Sequence, residues 1–359
     1  MPCARCETLP SIASGPGALH VWLPIGHSRT KVAAYLSEAG RSFVQTDAAG
    51  LEISLDVQRI SDVLIPLAGL LSQTEMEDAR CLYKEGGGEL TARDIPNVQS
   101  LRQFLSLSQA DWLVEMLRDN RLTSHFQPIV LANSPAQVLG HEMLLRGISE
   151  DGSTVSPGHL FDVARSCGML FQLDVAARRS AIRSAVEHSD TGKIFINFSP
   201  TAIYDPSHCL RSTVSAIDEA GIAHDRVVFE VIESDRTVDV FHLRGILNYY
   251  RSAGFGVALD DIGSGYSSLN LLHQLRPDYL KIDIDLIRGI DSDPYKALIA
   301  EKIFEIAREL NILTIAEGVE RQPELDWVRA HGATYAQGYL FARPAAAPQR
   351  STAALTAKS

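Results

Sequence analysis

The sequence has no apolar run long enough to cross a bilayer. The longest, Val63 to Leu71, is interrupted by Pro66, and a spanning helix needs about 20 apolar residues. No basic segment followed by an apolar core opens the chain, so no secretory signal is expected. Five cysteines, an odd number in 359 residues, do not make the framework of a secreted disulfide scaffold. The expectation is a cytoplasmic protein with no membrane insertion. Positive charge is also scarce: 33 Lys and Arg against 44 Asp and Glu give a net charge of −11. Polymeric nucleic acid is excluded as a partner on that ground, because phosphate contacts need a basic surface. A small anion held through metal ions is not excluded. What is present, 45% hydrophobic and 21% charged residues, suits a globular chain with one large domain and a smaller one.

Residues 1–105 read as a smaller α/β regulatory module. Cys3 and Cys6 form a CxxC, which leaves three readings open: half a zinc site with His20, His27 or Cys81, a redox pair, or two ordinary thiols. Val21 to Leu23 is predicted as a strand and Thr30 to Ala39 as a helix. Leu51 to Leu71 reads as a strand and then a helix broken near Pro66. Gly86 to Gly88 is a connector. Leu101, Leu105, Trp112, Leu113, Met116 and Leu117 predict one helix over 101–122 linking the modules.

From His125 strand-like runs alternate with amphipathic segments. The runs are 126–131, 138–145, 194–199, 227–232, 256–260, 279–284, 313–316 and 334–340. Eight such strands predict an α/β fold, a (β/α)8 barrel whose reactive groups collect at the C-terminal strand ends. The first two runs are joined by so short a connection that they pair antiparallel. Residues 346–359 are expected to be a disordered tail.

The chain is organised around Val257 to Ser268, where an apolar strand runs into Asp260 and Asp261 and then a loop of glycines and serines. On a regular strand two successive side chains face opposite sides, yet at a strand end they can bracket a cation. Other strand ends carry Asn197, Glu230, Lys281, Glu317 and Gln337, and Glu142 lies in the second strand. One acid at one strand end would be a helix cap; polar groups converging from six or seven strands are not. Carboxylates with one amide oxygen suit Mg²⁺ or Mn²⁺, and two such ions polarise a phosphodiester and activate water. Lys281 sits where it can approach that water or the phosphate.

The ordered motifs Phe126-Gln-Pro-Ile, Glu142-Met-Leu-Leu-Arg146, Asn197-Phe-Ser-Pro, Glu230-Val-Ile-Glu233, Asp260 to Ser268, Lys281-Ile-Asp, Glu317-Gly-Val-Glu320 and Gln337-Gly-Tyr-Leu-Phe resemble the EAL-domain cyclic di-GMP phosphodiesterases. The resemblance spans about 108–345 and supports a boundary near 106–345. It implies a TIM-like barrel with an antiparallel first strand and hydrolysis of cyclic di-GMP to linear pGpG in a homodimer. It implies two Mg²⁺ or Mn²⁺ ions held by Glu142, Asn197, Glu230, Asp260, Asp261 and Glu317. Lys281, Glu317, Glu233, Gln337 and Glu320 would serve catalysis. Gln127, Glu142, Leu144, Arg146, Asn197, Asp261 and Tyr339 would contact the dinucleotide. Glu233, an odd number of residues from Glu230, faces away from the pore on a regular strand and is expected to anchor the loop after Asp261. Met143, Gly147, Ile262, Ser264 and Arg165 depart from the usual family residues without removing a catalytic group. The competing readings are a catalytically silent cyclic di-GMP receptor and an unrelated barrel lyase with Lys281 as base.

Overall fold

A computed structural model describes residues 8–10, 15–46, 50–55, 60–188, 191–232, 239–263 and 268–350. Cys3, Cys6, Glu233, the serine-glycine loop 264–267 and the last nine residues lie outside the described residues. Contacts divide the chain into two compact units. The first comprises Leu9–Asp119 and Gly158–Leu173; the second comprises Asn120–Pro157 and the chain from Asp174.

In the first unit, β1 (Gly17–Trp22), β2 (Phe43–Thr46), β3 (Gly50–Leu55), β4 (Arg80–Glu85) and β5 (Gln99–Ser100) form an antiparallel sheet in the order β2-β3-β1-β4-β5. Leu19 and Val21, two apart on β1, share a core with Ile53, Cys81, Val32, Leu36 and Leu67, as strand alternation requires. The helix Ser61–Leu70 runs through Pro66 instead of breaking there. Proline in a helix interior costs about 3 kcal/mol. Burying Val63, Leu64 and Leu67, at about 1.5–3 kcal/mol each, outweighs it.

The single helix expected over 101–122 is two, Leu101–Ser108 and Asp111–Arg118, and residue 122 already belongs to a strand. Burial does not mark the break, since it runs on through Leu107, Ala110 and Leu113. The first helix ends where the Gln109 and Ala110 N–H groups turn to the Ser106 and Leu107 carbonyls, three residues back, a tightening common at helix ends. Both helices belong to the first unit.

In the second unit the strands β6 (Leu122–Leu131), β7 (Ser134–Ile148), β9 (Lys193–Asn197), β10 (Val227–Ile232), β11 (Gly256–Ile262), β12 (Tyr279–Ile282), β13 (Leu313–Ala316) and β14 (Tyr335–Ala336) close a ring, with a short β8 (Thr154–Val155) added to β7. β6 is antiparallel to both neighbours, β7 and β14, and the other ring pairs are parallel. This is the TIM-like barrel with an antiparallel first strand. The run 334–340 forms a strand only at Tyr335–Ala336. Beyond it the backbone turns at Gly338, where a Cβ would lie 2.1 Å from the Val319 carbonyl oxygen. A tight packing of Ile129, Phe195, Val228, Ala258, Tyr279 and Ile315 fills the barrel, one residue from each of six strands. Side chains two positions nearer the barrel mouth share that inward face, and they are Gln127, Asn197, Glu230, Asp260, Lys281 and Glu317.

Candidate active site

Lys281, 1% exposed, is the cation at the centre. Its Nζ lies 2.8 Å from Glu317, 3.1 Å from Asp260, 3.2 Å from Glu230 and 3.6 Å from Glu142. Around it Glu142 accepts hydrogen bonds from Asn197 Nδ2 at 2.9 Å and from Gln337 Nε2 at 2.7 Å. Donating through its nitrogen, Asn197 keeps its amide oxygen for another partner. Asp260 and Asp261 do approach the same place, because the strand is not regular there. The register of β11 against β12 shifts between Leu259 and Ile262, and Asp261 takes φ +58°, a left-handed conformation that a non-glycine residue adopts at a cost. Such a bulge re-aims side chains at a strand end.

The arrangement suits divalent cations. Oxygens of Glu142, Glu230 and Asp260 come within 4.8 Å of one another, as do those of Asp260, Asp261 and Glu317. Glu230 is completely buried, and neither of its oxygens accepts an aligned hydrogen bond despite the nearby ammonium. The buried Gln337 Oε1 likewise has no donor. Buried oxygens left without donors are costly, and the donor set is all oxygen, which fits Mg²⁺ or Mn²⁺.

Protonation shows the same shortage of positive charge. Burial lifts Glu230 well above the usual carboxylate range, and Glu142, Asp260 and Glu317 add to the rise against the pull of Lys281. Glu317 is raised well above it too, by burial and then Asp260, and Asp260 is raised chiefly by burial. Asp261 is pushed up to about 7 by burial, then by Asp260 and Asp283. For Glu142 burial works upward, but Lys281 and the two amides outweigh it and lower its pKa. The four acids around Lys281 outweigh its burial and hold it well above its usual value.

Metal ligation needs the carboxylates deprotonated. With Asp261 raised from 3.8 to about 7, a divalent ion taken up by this carboxylate would displace a proton below that pH. Mn²⁺ affinity is therefore expected to climb as pH rises from 5 to 7, with acidification of a weakly buffered solution. An affinity flat across that window contradicts the assignment. For the metal-free fold the linkage has the opposite sense. A raised carboxylate stabilises fully below its unfolded pKa, and this contribution is lost as pH rises through 7.

Beside the cluster opens a cavity of about 260 Å³ lined by Gln127, Glu142, Glu317, Gln337 and Tyr339, and also by Arg288 and Glu320. The structure thus brings Gln127, Glu142, Glu317, Glu320, Gln337 and Tyr339 together around one space. Leu144 and Arg146 follow Glu142 on the same face of β7 but do not line it. Arg146 folds back onto the Leu145 carbonyl at 2.7 Å. Glu320 pairs with Arg288 at 2.7 Å and stands apart from the carboxylate cluster. Tyr339 is half exposed, with the Arg343 guanidinium 4.3 Å over its ring. Glu233 lies outside the described residues. Sequence reasoning missed Arg288 and Ile284, which also line the cavity. Their signal was their closeness in sequence to Lys281-Ile-Asp283: Ile284 opens, and Arg288 caps, the short helix that follows it.

The comparison that decides the family is the profile of the EAL domain, which matches residues 110–344. The chain belongs to the EAL domain family. The probable cyclic di-GMP phosphodiesterase PdeG of Escherichia coli K12 is 30% identical over 245 residues, covering 67% of this chain and 48% of that protein. Cyclic di-GMP phosphodiesterase NbdA of Pseudomonas aeruginosa PAO1 is 28% identical over 309 residues, covering 85% of this chain and 38% of that protein. The chain therefore spans half or less of these curated relatives. Among solved structures, a standalone versatile EAL protein from Vibrio cholerae O395 in a c-di-GMP-bound form is 35% identical. It covers 66% of this chain and 97% of that one, with a TM-score of 0.59. Among the described residues of this EAL protein no helix is long and apolar enough to cross a membrane.

Proposed function

We propose that this EAL protein hydrolyses cyclic di-GMP to linear pGpG with two divalent ions, Mg²⁺ or Mn²⁺. The observation that carries the reading is the pair of overlapping oxygen clusters around Lys281, one containing a buried Glu230 with no hydrogen-bond donor. Five carboxylates against one ammonium leave a charge that two divalent ions offset, so a Mn²⁺ titration is expected to end at two ions per chain. Such ions supply Lewis acidity toward the phosphate and lower the pKa of bound water. Glu142, Glu230, Asp260, Asp261, Glu317 and the Asn197 amide oxygen would hold them.

The remaining work falls to the chain itself. The amides of Asn197 and Gln337 fix the orientation of Glu142, as outer partners of metal ligands do. Lys281 has three donors with which to orient the attacking water and to stabilise charge on the phosphate. The attacking water gives up one proton as its oxygen bonds to phosphorus, the bond from phosphorus to the ribose 3′ oxygen breaks, and that oxygen takes up a proton, leaving a 5′-phosphate and a free 3′ hydroxyl. The cavity of about 260 Å³ lies just below the usual range of ligand sites, a size for at most one guanylate half of the dinucleotide. Gln127 and Tyr339 line that half. Excess chelator is expected to abolish hydrolysis by the wild type, and full activity there contradicts a metal requirement.

Residues 1–105 are read as regulatory, since the acid cluster lies wholly in the barrel. Loss of hydrolysis control on replacing that module tests this, and unchanged kinetics and oligomeric state contradict it. The homodimer rests on the helix Pro294–Glu309, where Tyr295, Leu298 and Ile299 are 81%, 57% and 52% exposed. Apolar side chains at i, i+3 and i+4 make one uncovered stripe. Light scattering should give twice 39.2 kDa for the wild type and one chain for Leu298→Glu. A monomeric wild type contradicts it.

A further inference from the structure

Asp174 and Arg178 stand one turn apart on the helix Leu170–Glu187, and both are buried, Arg178 at 0% exposure and Asp174 at 2%. Arg178 donates to Asp174 Oδ2 through Nη2 at 2.7 Å and Nε at 3.1 Å. Its Nη1 reaches Thr213 Oγ1 on the helix Arg211–Glu219. Replacing a buried ion pair by apolar residues of similar volume is often neutral or stabilising, so folding alone does not explain this one. Its other contact does. Asp174 Oδ1 accepts the backbone N–H of Ser199 at 2.8 Å, and Ser199 lies two residues beyond Asn197, where β9 leaves the barrel. The intervening Phe198 donates its N–H to the Glu230 carbonyl at 3.1 Å.

We infer that Asp174 and Arg178 are positioning residues that aim the Asn197 amide oxygen into the carboxylate cluster. Arg178 anchors Asp174 to a neighbouring helix, and Asp174 anchors the backbone that carries Asn197. An ionised acceptor holds an N–H about twice as strongly as a neutral one. Because the Asn197 nitrogen is committed to Glu142, the direction of its oxygen follows the backbone at this exit. The inference rests on the metal reading of the site, and the test separates the two.

The test measures Mn²⁺ affinity and metal-free thermal melting on the full chain. The double variant Asp174→Leu/Arg178→Met removes the pair and the acceptor for Ser199. It is expected to melt at or above the wild-type temperature and to bind Mn²⁺ about 10- to 100-fold more weakly, the range for outer partners of metal ligands. Asp174→Asn/Arg178→Met restores a neutral acceptor and is expected to recover most of that loss. If the first variant fails to fold, Thr213→Val, which frees only the far end of Arg178, should weaken Mn²⁺ binding to a smaller degree. Wild-type affinity in Asp174→Leu/Arg178→Met or in Thr213→Val overturns the positioning role. So does an Asn/Met variant no better than the Leu/Met one. A wild type that binds no Mn²⁺ overturns the metal reading itself.

Discussion

Glu142→Ala is expected to lower cyclic di-GMP turnover by about 10³-fold or more, the upper end of what loss of one preorganised electrostatic group costs. Three independent losses combine in that variant. A ligand oxygen disappears from the cluster with Glu230 and Asp260. Asn197 and Gln337 both lose the acceptor that fixes them, so the Asn197 oxygen is no longer aimed. Lys281 loses one of the four acids around it. Mn²⁺ affinity should fall together with turnover, while the fold persists, because Glu142 belongs to the mouth and not to the apolar filling of the barrel. Near wild-type turnover in Mn²⁺ contradicts a ligand role.

Lys281→Met is the complementary case. Removing the ammonium should cost about 10²- to 10⁴-fold in turnover, the range of a positioned proton donor or acceptor. Metal affinity should move the other way. The ammonium sits 2.8–3.6 Å from four of the clustered acids and would compete with a divalent ion for them, so its loss is expected to tighten Mn²⁺ binding. Opposite shifts in affinity for Glu142→Ala and Lys281→Met separate a ligand from a group that acts on the water and phosphate. A Lys281→Met enzyme that loses Mn²⁺ as badly as Glu142→Ala shows instead that the ammonium is structural.

The barrel was legible because its signals are local. Most of the parallel strands present an apolar residue inward and a polar one two positions on, as with Val228 and Glu230 or Tyr279 and Lys281, and a period of two survives in the sequence. The antiparallel first pair was legible from the length of its connection. The bulge that brings Asp261 beside Asp260 was not, since it depends on the register of β11 against β12. Nor were helix ends governed by burial. Pro66 was read as a break, and burial of its neighbours carries the helix through it. The chain rhythm placed a boundary at 105/106, whereas packing gathers Gly158–Leu173 with the first unit. There Trp112 stacks on His159, 47 positions along the chain, at 5.5 Å, a contact with no local signature. Arg178 was overlooked for the same reason. An arginine on an amphipathic helix is normally solvated, and only the fold shows it enclosed against Asp174 and Thr213.

Hydrolysis is measured most directly as the product formed from cyclic di-GMP by the 359-residue chain in Mn²⁺, followed by chromatography with and without excess chelator. Linear pGpG is expected to accumulate over many turnovers and to stop forming when the metal is removed. Tight binding of cyclic di-GMP that is recovered intact after prolonged incubation in Mn²⁺ contradicts it and leaves a receptor built on the same barrel.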